Sequence, residues 1–160
     1  MKYYSRKNNH ILDEVVDQLS GYMGEMRTVK KVEELMLIEA KARHLYYTSF
    51  NVILKQEGFF FEKRTRRPPL DAINAMISFG NTLLYNFVLQ AIWKTALDPR
   101  IGIIHATTNR NFSLNLDFAD LFKPVIVDRV IFSLINLLQL QPTLHFEEKE
   151  SGAVLSLIHI

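Results

Sequence analysis

Apolar side chains recur along this chain at steps of three and four residues, the spacing that lines one face of a helix. The first run is Leu12, Val15, Val16, Leu19, Tyr22 and Met23, with Asp13, Glu14 and Asp17 between them. It predicts an amphipathic leading helix, weakened at its end by Gly21 and Gly24. A second helix is expected over residues 28–50, where Val32, Leu35, Met36, Ala42, Tyr46 and Phe50 form one stripe with Glu39 inside it. Between residues 70 and 95, Ile73, Met76, Ile77, Leu83, Leu84, Phe87, Val88, Ala91 and Ile92 cover much of a helix surface, as a central buried helix would. A further helix is predicted over 114–122. Pro124 is placed to open the last long helix, through Ile126, Val130, Ile131, Leu134 and Leu138, with Pro142 ending it.

The intervening segments read as loops. Residues 55–69 pass from aromatic side chains to four cations and then the pair Pro68 and Pro69, which forbids helix and leaves a loop or short hairpin. Asp98 before Pro99 offers a helix cap or turn leading towards His105, and residues 107–112 are polar.

Composition narrows this to an all-α, multi-helix fold. Only six glycines and five prolines interrupt 160 residues, and a hydrophobic share of 48% is enough to bury a core. One helical domain is expected over residues 1–150, with residues 1–27 as a leading helix and linker. The apolar tail 151–160 reads as a truncation. The absence of cysteine excludes disulfides and thiolate metal sites. A formal net charge of +2 is too small to mark a nucleic-acid binder, so any basic signal must be local. Residues 1–10 lack the apolar core of a signal peptide, and the longest apolar run, 130–138, is broken by Ser133 and Asn136. The expectation is a soluble, cytoplasmic protein with no membrane partner.

Four positions draw attention as chemistry. Glu39 places a carboxylate in an apolar stripe, which is costly without a compensating cation or hydrogen bonds; Arg43, one turn later, would serve as an internal ion pair. His105 follows the apolar run 101–104, where a lone histidine serves more often as a hydrogen-bonded core or capping residue than as a ligand. Asp117 and Asp120, three apart on a predicted helix, point to one side, so either they face solvent or a metal or arginine neutralises them. Glu, His and Asp together would suit Mn2+ or Mg2+ and be compatible with Zn2+. Lys63, Arg64, Arg66 and Arg67 form the strongest basic cluster. Beside Phe59, Phe60 and Phe61 they could grip a phosphate backbone and stack on bases, extended by Lys123 and Arg129, or they form a solvated loop.

Four stretches, LMLIEAKARHLYY, RTRRPPLDAINAMISFGNTLLYN, LDPRIGIIHATTNRNFSL and LNLDFADLFKPVIVDRVIF, occur in this order and together resemble the Cas1 family of CRISPR-associated endonuclease/integrases. The resemblance covers most of residues 35–132 and implies the helical, C-terminal catalytic part of such a protein. It implies a metal site of Glu39, His105 and Asp120 holding Mg2+ or Mn2+, supported by Asp117, and DNA contacts from Arg43, Lys63, Arg64, Arg66, Arg67 and Lys123. The implied activity is insertion of new spacers into a CRISPR array by 3′-hydroxyl attack on a phosphodiester. The implied partners are prespacer and repeat DNA, a second copy in a homodimer and the small Cas2 protein. The family's N-terminal β-rich domain has no counterpart here, and the last residues, LIHI, depart from the family's continuation. Ala40, Ala106 and Asn81 stand where Gly, an acidic residue and Tyr are usual. The alternative is a non-catalytic, DNA- or partner-binding helical scaffold from a truncated or degenerate integrase. A further reading makes Glu39 and His105 ordinary core residues.

Overall fold

A computed structural model describes residues 10–104, 112–150 and 152–156. They gather into two compact units: the described residues up to Lys55 together with Phe61–Lys63, and Gln56–Phe60 with the described residues from Arg64 onward.

In the first unit, helix α1 (His10–Met26) buries Leu12 and Val15 and packs against α2 (Val32–Thr48). The leading helix expected from periodicity is present and continues past Gly21 and Gly24, each of which faces open space. Glu33 and Glu34 occupy the first turn of α2, where negative charge complements the exposed N–H groups of a helix start. The inward side of α2 runs through Leu35, Ile38 and Ala42, whereas Val32 and Met36 are exposed and Glu39 lies at the border. The expected single helix over 28–50 breaks at Ser49. This residue is fully buried and its hydroxyl donates to the Tyr46 carbonyl, before a short helix α3 (Phe50–Ile53) begins. Phe50 meets Tyr46 and Tyr47 edge to face, with ring centroids 5.2 and 5.1 Å away, and Phe61 closes the cluster at 5.1 Å from Phe50. The Asn51 amide fixes Phe61 by donating to its carbonyl and accepting from its N–H, both at 2.8 Å.

The second unit is organised by α4 (Ala72–Ile92), whose buried face includes Ile73, Met76, Ile77, Leu84, Val88 and Ile92. Asp71 caps its start by accepting from the Asn74 N–H at 2.7 Å. Helix α5 (Ser113–Lys123) packs across it. Pro124 does not open a new helix as its chemistry suggested. The chain stays helical through a π-helical turn, Pro124–Asp128, into α6 (Arg129–Asn136). Proline has no N–H to donate to the preceding turn and its ring crowds that turn, and the departure from regular α-helix begins at this residue. The helix then ends before Pro142. Leu138 adopts φ 58°, while the Gln139 N–H donates to the Leu134 carbonyl and that of Leu138 to Ile135. This is a Schellman closure made by leucine where glycine is usual.

A short helix α7 (Pro142–His145) leads into β1 (Phe146–Glu148), which pairs antiparallel with β2 (Val154–Ser156), Glu148 opposite Val154. This two-stranded ladder is an addition to an otherwise helical fold. The Val154 N–H donates to the Pro69 carbonyl, so part of the expected tail is tied to the loop before α4. By length and composition α4 could cross a membrane; one side of it packs against α5, the π turn, α6 and β2, while Phe79, Leu83 and Phe87 stay exposed. Gly80 permits part of this packing, because a Cβ there would lie 2.6 Å from Val127 Cγ1. Beside that approach, Phe79, Leu83 and Phe87 of α4 and Ile126 and Val130 line an open apolar groove of about 590 Å3.

The loop before α4 is held by one side chain. Asn74 is fully buried; its amide oxygen accepts from Arg64 Nη1 at 2.7 Å and from the Thr65 N–H at 3.0 Å, while its amide nitrogen donates to Asp71 at 2.5 Å. Asn74→Ala would strand these groups, and a buried group left unpaired costs about 1–3 kcal/mol. The expected loss is about 2–3 kcal/mol of unfolding free energy, seen as a lower urea midpoint with unchanged slope. An unchanged midpoint would contradict the hub role.

Candidate metal centre

Glu39 sits on the third turn of α2, where Arg43 Nη2 donates to its Oε1. Both side chains are about one-third exposed, at 32% and 34%. The internal ion pair weighed from the sequence is therefore formed. Asp120, on the last turns of α5, has the same arrangement at i,i+3: Lys123 Nζ donates to its Oδ1, with the two side chains only 17% and 18% exposed. Lys123 also donates to the Tyr85 hydroxyl at 2.5 Å and lies 4.7 Å from the centre of that ring, so α4 and α5 share this ammonium.

Asp117 lies one turn before Asp120 but faces a different task. Its Oδ2 accepts from the backbone N–H groups of Ile103 and Ile104, at 2.5 and 3.0 Å. Ser113, four residues earlier, accepts from the Gly102 N–H at 2.9 Å and donates to the Arg100 carbonyl at 2.7 Å. The same turn begins with Asp98, which takes both the backbone N–H and the guanidinium of Arg100. These bonds hold its carboxyl down from the usual 3.8 to about 2.

His105 lies outside the described residues. Among the described residues no group of three His, Asp or Glu side chains converges as a metal site. Asp120 pairs with Lys123 on α5, Asp117 with the backbone of Ile103 and Ile104, and Glu39 with Arg43 on α2. The donor set nevertheless suits the hard cation implied by the resemblance. Two carboxylates and an imidazole are ligands for Mg2+ or Mn2+, while Arg43 and Lys123 each hold one oxygen of Glu39 and Asp120.

The basic cluster divides by role. Arg64 is drawn in to the loop hub, donating to the carbonyl of Thr65, to Asn74 and to Ser78 Oγ at 2.9 Å. Lys63, Arg66 and Arg67 are exposed. Of the three aromatic neighbours considered for base stacking, Phe59 and Phe61 are buried, the first edge-on to Phe146 and the second in the Phe50 cluster. Only Phe60, 67% exposed, presents its ring to solvent. The sequence reading missed Ser113, Gly102 and Tyr85. Ser113 and Asp117, four apart at the start of a helix, were the available signal.

Comparison with known proteins places these features. The family model described as CRISPR associated protein Cas1 matches residues 1–157. A CRISPR-associated endonuclease Cas1 2 of Thermodesulfovibrio yellowstonii is 46% identical over 154 residues, 96% of this chain and 46% of that protein. The solved structure of a Cas1 protein from Thermotoga maritima superposes with TM-score 0.80 at 46% identity, over 88% of this chain and 44% of that one. A chain of a partial Cas6-RT-Cas1–Cas2 complex gives TM-score 0.84 at 25% identity, over 97% and 47%. A casposase bound to integration product gives 0.73 at 26%, over 89% and 43%. The chain spans about half the length of the curated relatives it matches. Its helical architecture is that of the solved Cas1 protein, and the chain belongs to the Cas1 family of CRISPR-associated proteins.

Proposed function

We propose that this chain is the helical catalytic part of a CRISPR spacer integrase, a DNA endonuclease and strand-transfer enzyme whose metal ligands are Glu39, His105 and Asp120. The observation that carries this reading is the 46% identity, over nearly the whole chain, to a protein named as a CRISPR-associated endonuclease. Likeness to a casposase bound to its integration product supports strand transfer as the reaction class.

In the proposed reaction a DNA 3′-hydroxyl attacks a phosphodiester of the CRISPR repeat, forming one P–O bond as another breaks, with the departing oxygen leaving as a new 3′-hydroxyl. The chemistry that Mg2+ or Mn2+ supplies when bound is Lewis acidity towards the attacking and departing oxygens. The chain's own groups bind and neutralise. Lys123, held beside Asp120 by the Tyr85 hydroxyl, puts a second positive charge where phosphoryl charge accumulates. Arg43 does the same beside Glu39. Exposed Lys63, Arg66 and Arg67 grip the DNA backbone, whereas Arg64 acts by fixing the loop that carries Arg66 and Arg67. The proposed partners are prespacer and repeat DNA, a second copy of the protein and Cas2. The last is supported by the likeness to a Cas1–Cas2 complex.

One observation favours the scaffold alternative: both proposed carboxylate ligands are neutralised by protein cations, so the fold closes its charge balance without a metal. Strand transfer decides between them. In the protein as its gene encodes it, Asp120→Ala and His105→Ala each abolish divalent-dependent joining of a labelled 3′-hydroxyl end to repeat DNA, and retained joining in both sinks the site. For the loop, Arg66→Ala with Arg67→Ala removes about two phosphate contacts and flattens the log–log salt dependence of DNA affinity by roughly 2. An unchanged slope refutes its role.

A further inference from the structure

Residues 99–104, which precede His105 in the sequence, are held largely by polar side chains, with Ile104 alone of their three isoleucines half-buried. Ile101 and Ile103 are 69% and 75% exposed, so neither anchors the chain by burial. The first turns of α5 anchor it instead. Three successive backbone N–H groups, of Gly102, Ile103 and Ile104, are taken by Ser113 Oγ and Asp117 Oδ2. Running the other way, the Ser113 hydroxyl donates to the Arg100 carbonyl, and the Leu114 N–H donates to the Pro99 carbonyl at 3.1 Å. Every peptide from Pro99 to Ile104 except that of Ile101 thus meets α5 through its N–H or carbonyl. The Ile101 N–H returns to the Asp98 carbonyl at 3.1 Å.

Close approach is part of this device. A Cβ added at Gly102 would stand 2.8 Å from both Cβ and Oγ of Ser113 and 3.0 Å from Asp117 Oδ2. These neighbours are a short, buried side chain and a carboxylate already held by two amides, so neither can give way without breaking the bonds described. A glycine is therefore required for the segment to reach its acceptors, although it needs no unusual backbone angle. Burial of Ser113 to 2% exposure keeps water from competing for the same groups.

We propose that Asp117, with Ser113 and Gly102, is a positioning device: its carboxylate acts through the Ile103 and Ile104 amides to fix residues 102–104, which immediately precede His105 in the sequence. The inference rests on the proposed metal site and gives Asp117 a duty different from that of Asp120 one turn away. The two carboxylates of α5 divide the work. Asp120 faces a cation, Lys123, and supplies charge, whereas Asp117 Oδ2 faces backbone donors and supplies geometry.

The two duties separate on conservative substitution. A carboxamide oxygen still accepts two N–H bonds but carries no charge, so Asp117→Asn preserves a positioning role and removes a charge-donating one. Mn2+ affinity, read by the spin-resonance signal of the free ion, is compared for wild type, Asp117→Asn, Asp117→Ala, Ser113→Ala, Gly102→Ala and His105→Ala. Amide hydrogen exchange at residues 102–104 is followed alongside. The inference expects Asp117→Ala and Gly102→Ala to weaken Mn2+ binding by about 10–100-fold, the usual effect of losing a group that orients a ligand. Both should speed exchange at residues 102–104. Ser113→Ala should have a smaller effect in the same direction, and Asp117→Asn should stay within about tenfold of wild type. Equal loss in Asp117→Asn and Asp117→Ala, with Gly102→Ala unchanged, overturns the positioning role. If His105→Ala leaves Mn2+ affinity unchanged, the metal site itself fails and the inference falls with it, an outcome the His105 arm identifies separately. Should Asp117→Ala fail to fold, the contrast between Asp117→Asn and Gly102→Ala decides.

Discussion

A carboxylate on the partly buried face of a helix must have positive charge beside it, because taking a bare charge out of water costs more than any ordinary contact returns. This constraint is met twice, and in the same way. On α2 Glu39 takes the guanidinium of Arg43 from the next turn, and on α5 Asp120 takes the ammonium of Lys123. Each pair keeps an anionic oxygen and a cation together at a helix surface, the arrangement from which the proposed metal and phosphate contacts would have to be made. The oxygen can hold a divalent ion, and the protein cation can meet the phosphate. The lysine is further tied to Tyr85, so the position of α5 against α4 and the charge at Asp120 depend on one another.

Scaffold and site are linked through hydrogen bonds that reach across loops. Asn74 fastens the loop carrying Arg66 and Arg67 to the start of α4. Asp117 and Ser113 fasten the segment ending at Ile104 to the start of α5. In both cases a side chain in the first turns of a long helix supplies to a neighbouring loop the partners that the loop lacks internally. Loops that bear the side chains proposed as functional are thus tied to rigid elements by hydrogen bonds.

The helices were legible in the sequence because their signal is local. Leu12, Val15 and Leu19 repeat at the helical period whatever the chain does elsewhere, as do Ile73, Ile77, Leu84 and Val88. Their boundaries depended on tertiary choices. Ser49 breaks the second helix where Phe50 must turn into the aromatic cluster, and Pro124 is absorbed in a π turn instead of starting a helix. The all-α expectation held apart from the short ladder Phe146–Ser156, which three-residue strands leave without a readable alternation. Of the candidate site, the cost of Glu39 and of the Asp pair was visible, and so was Arg43 as a partner at i+4. That Arg64 serves the fold, that Phe59 and Phe61 are buried, and that Asp117 binds backbone were not visible. Each depends on a contact ten or more residues away, and spacing along one helix carries no information about such contacts.

Membership in the Cas1 family, with about half of a relative's length represented, makes the ligand set the central question. The most direct measurement is electron spin-echo modulation of Mn2+ bound to this protein, which reports a nitrogen nucleus bonded to the ion. The account predicts an imidazole nitrogen modulation that disappears in His105→Gln while the bound fraction is kept up by excess Mn2+. Bound Mn2+ with no nitrogen modulation in the unaltered protein, or a modulation that survives His105→Gln, would contradict it.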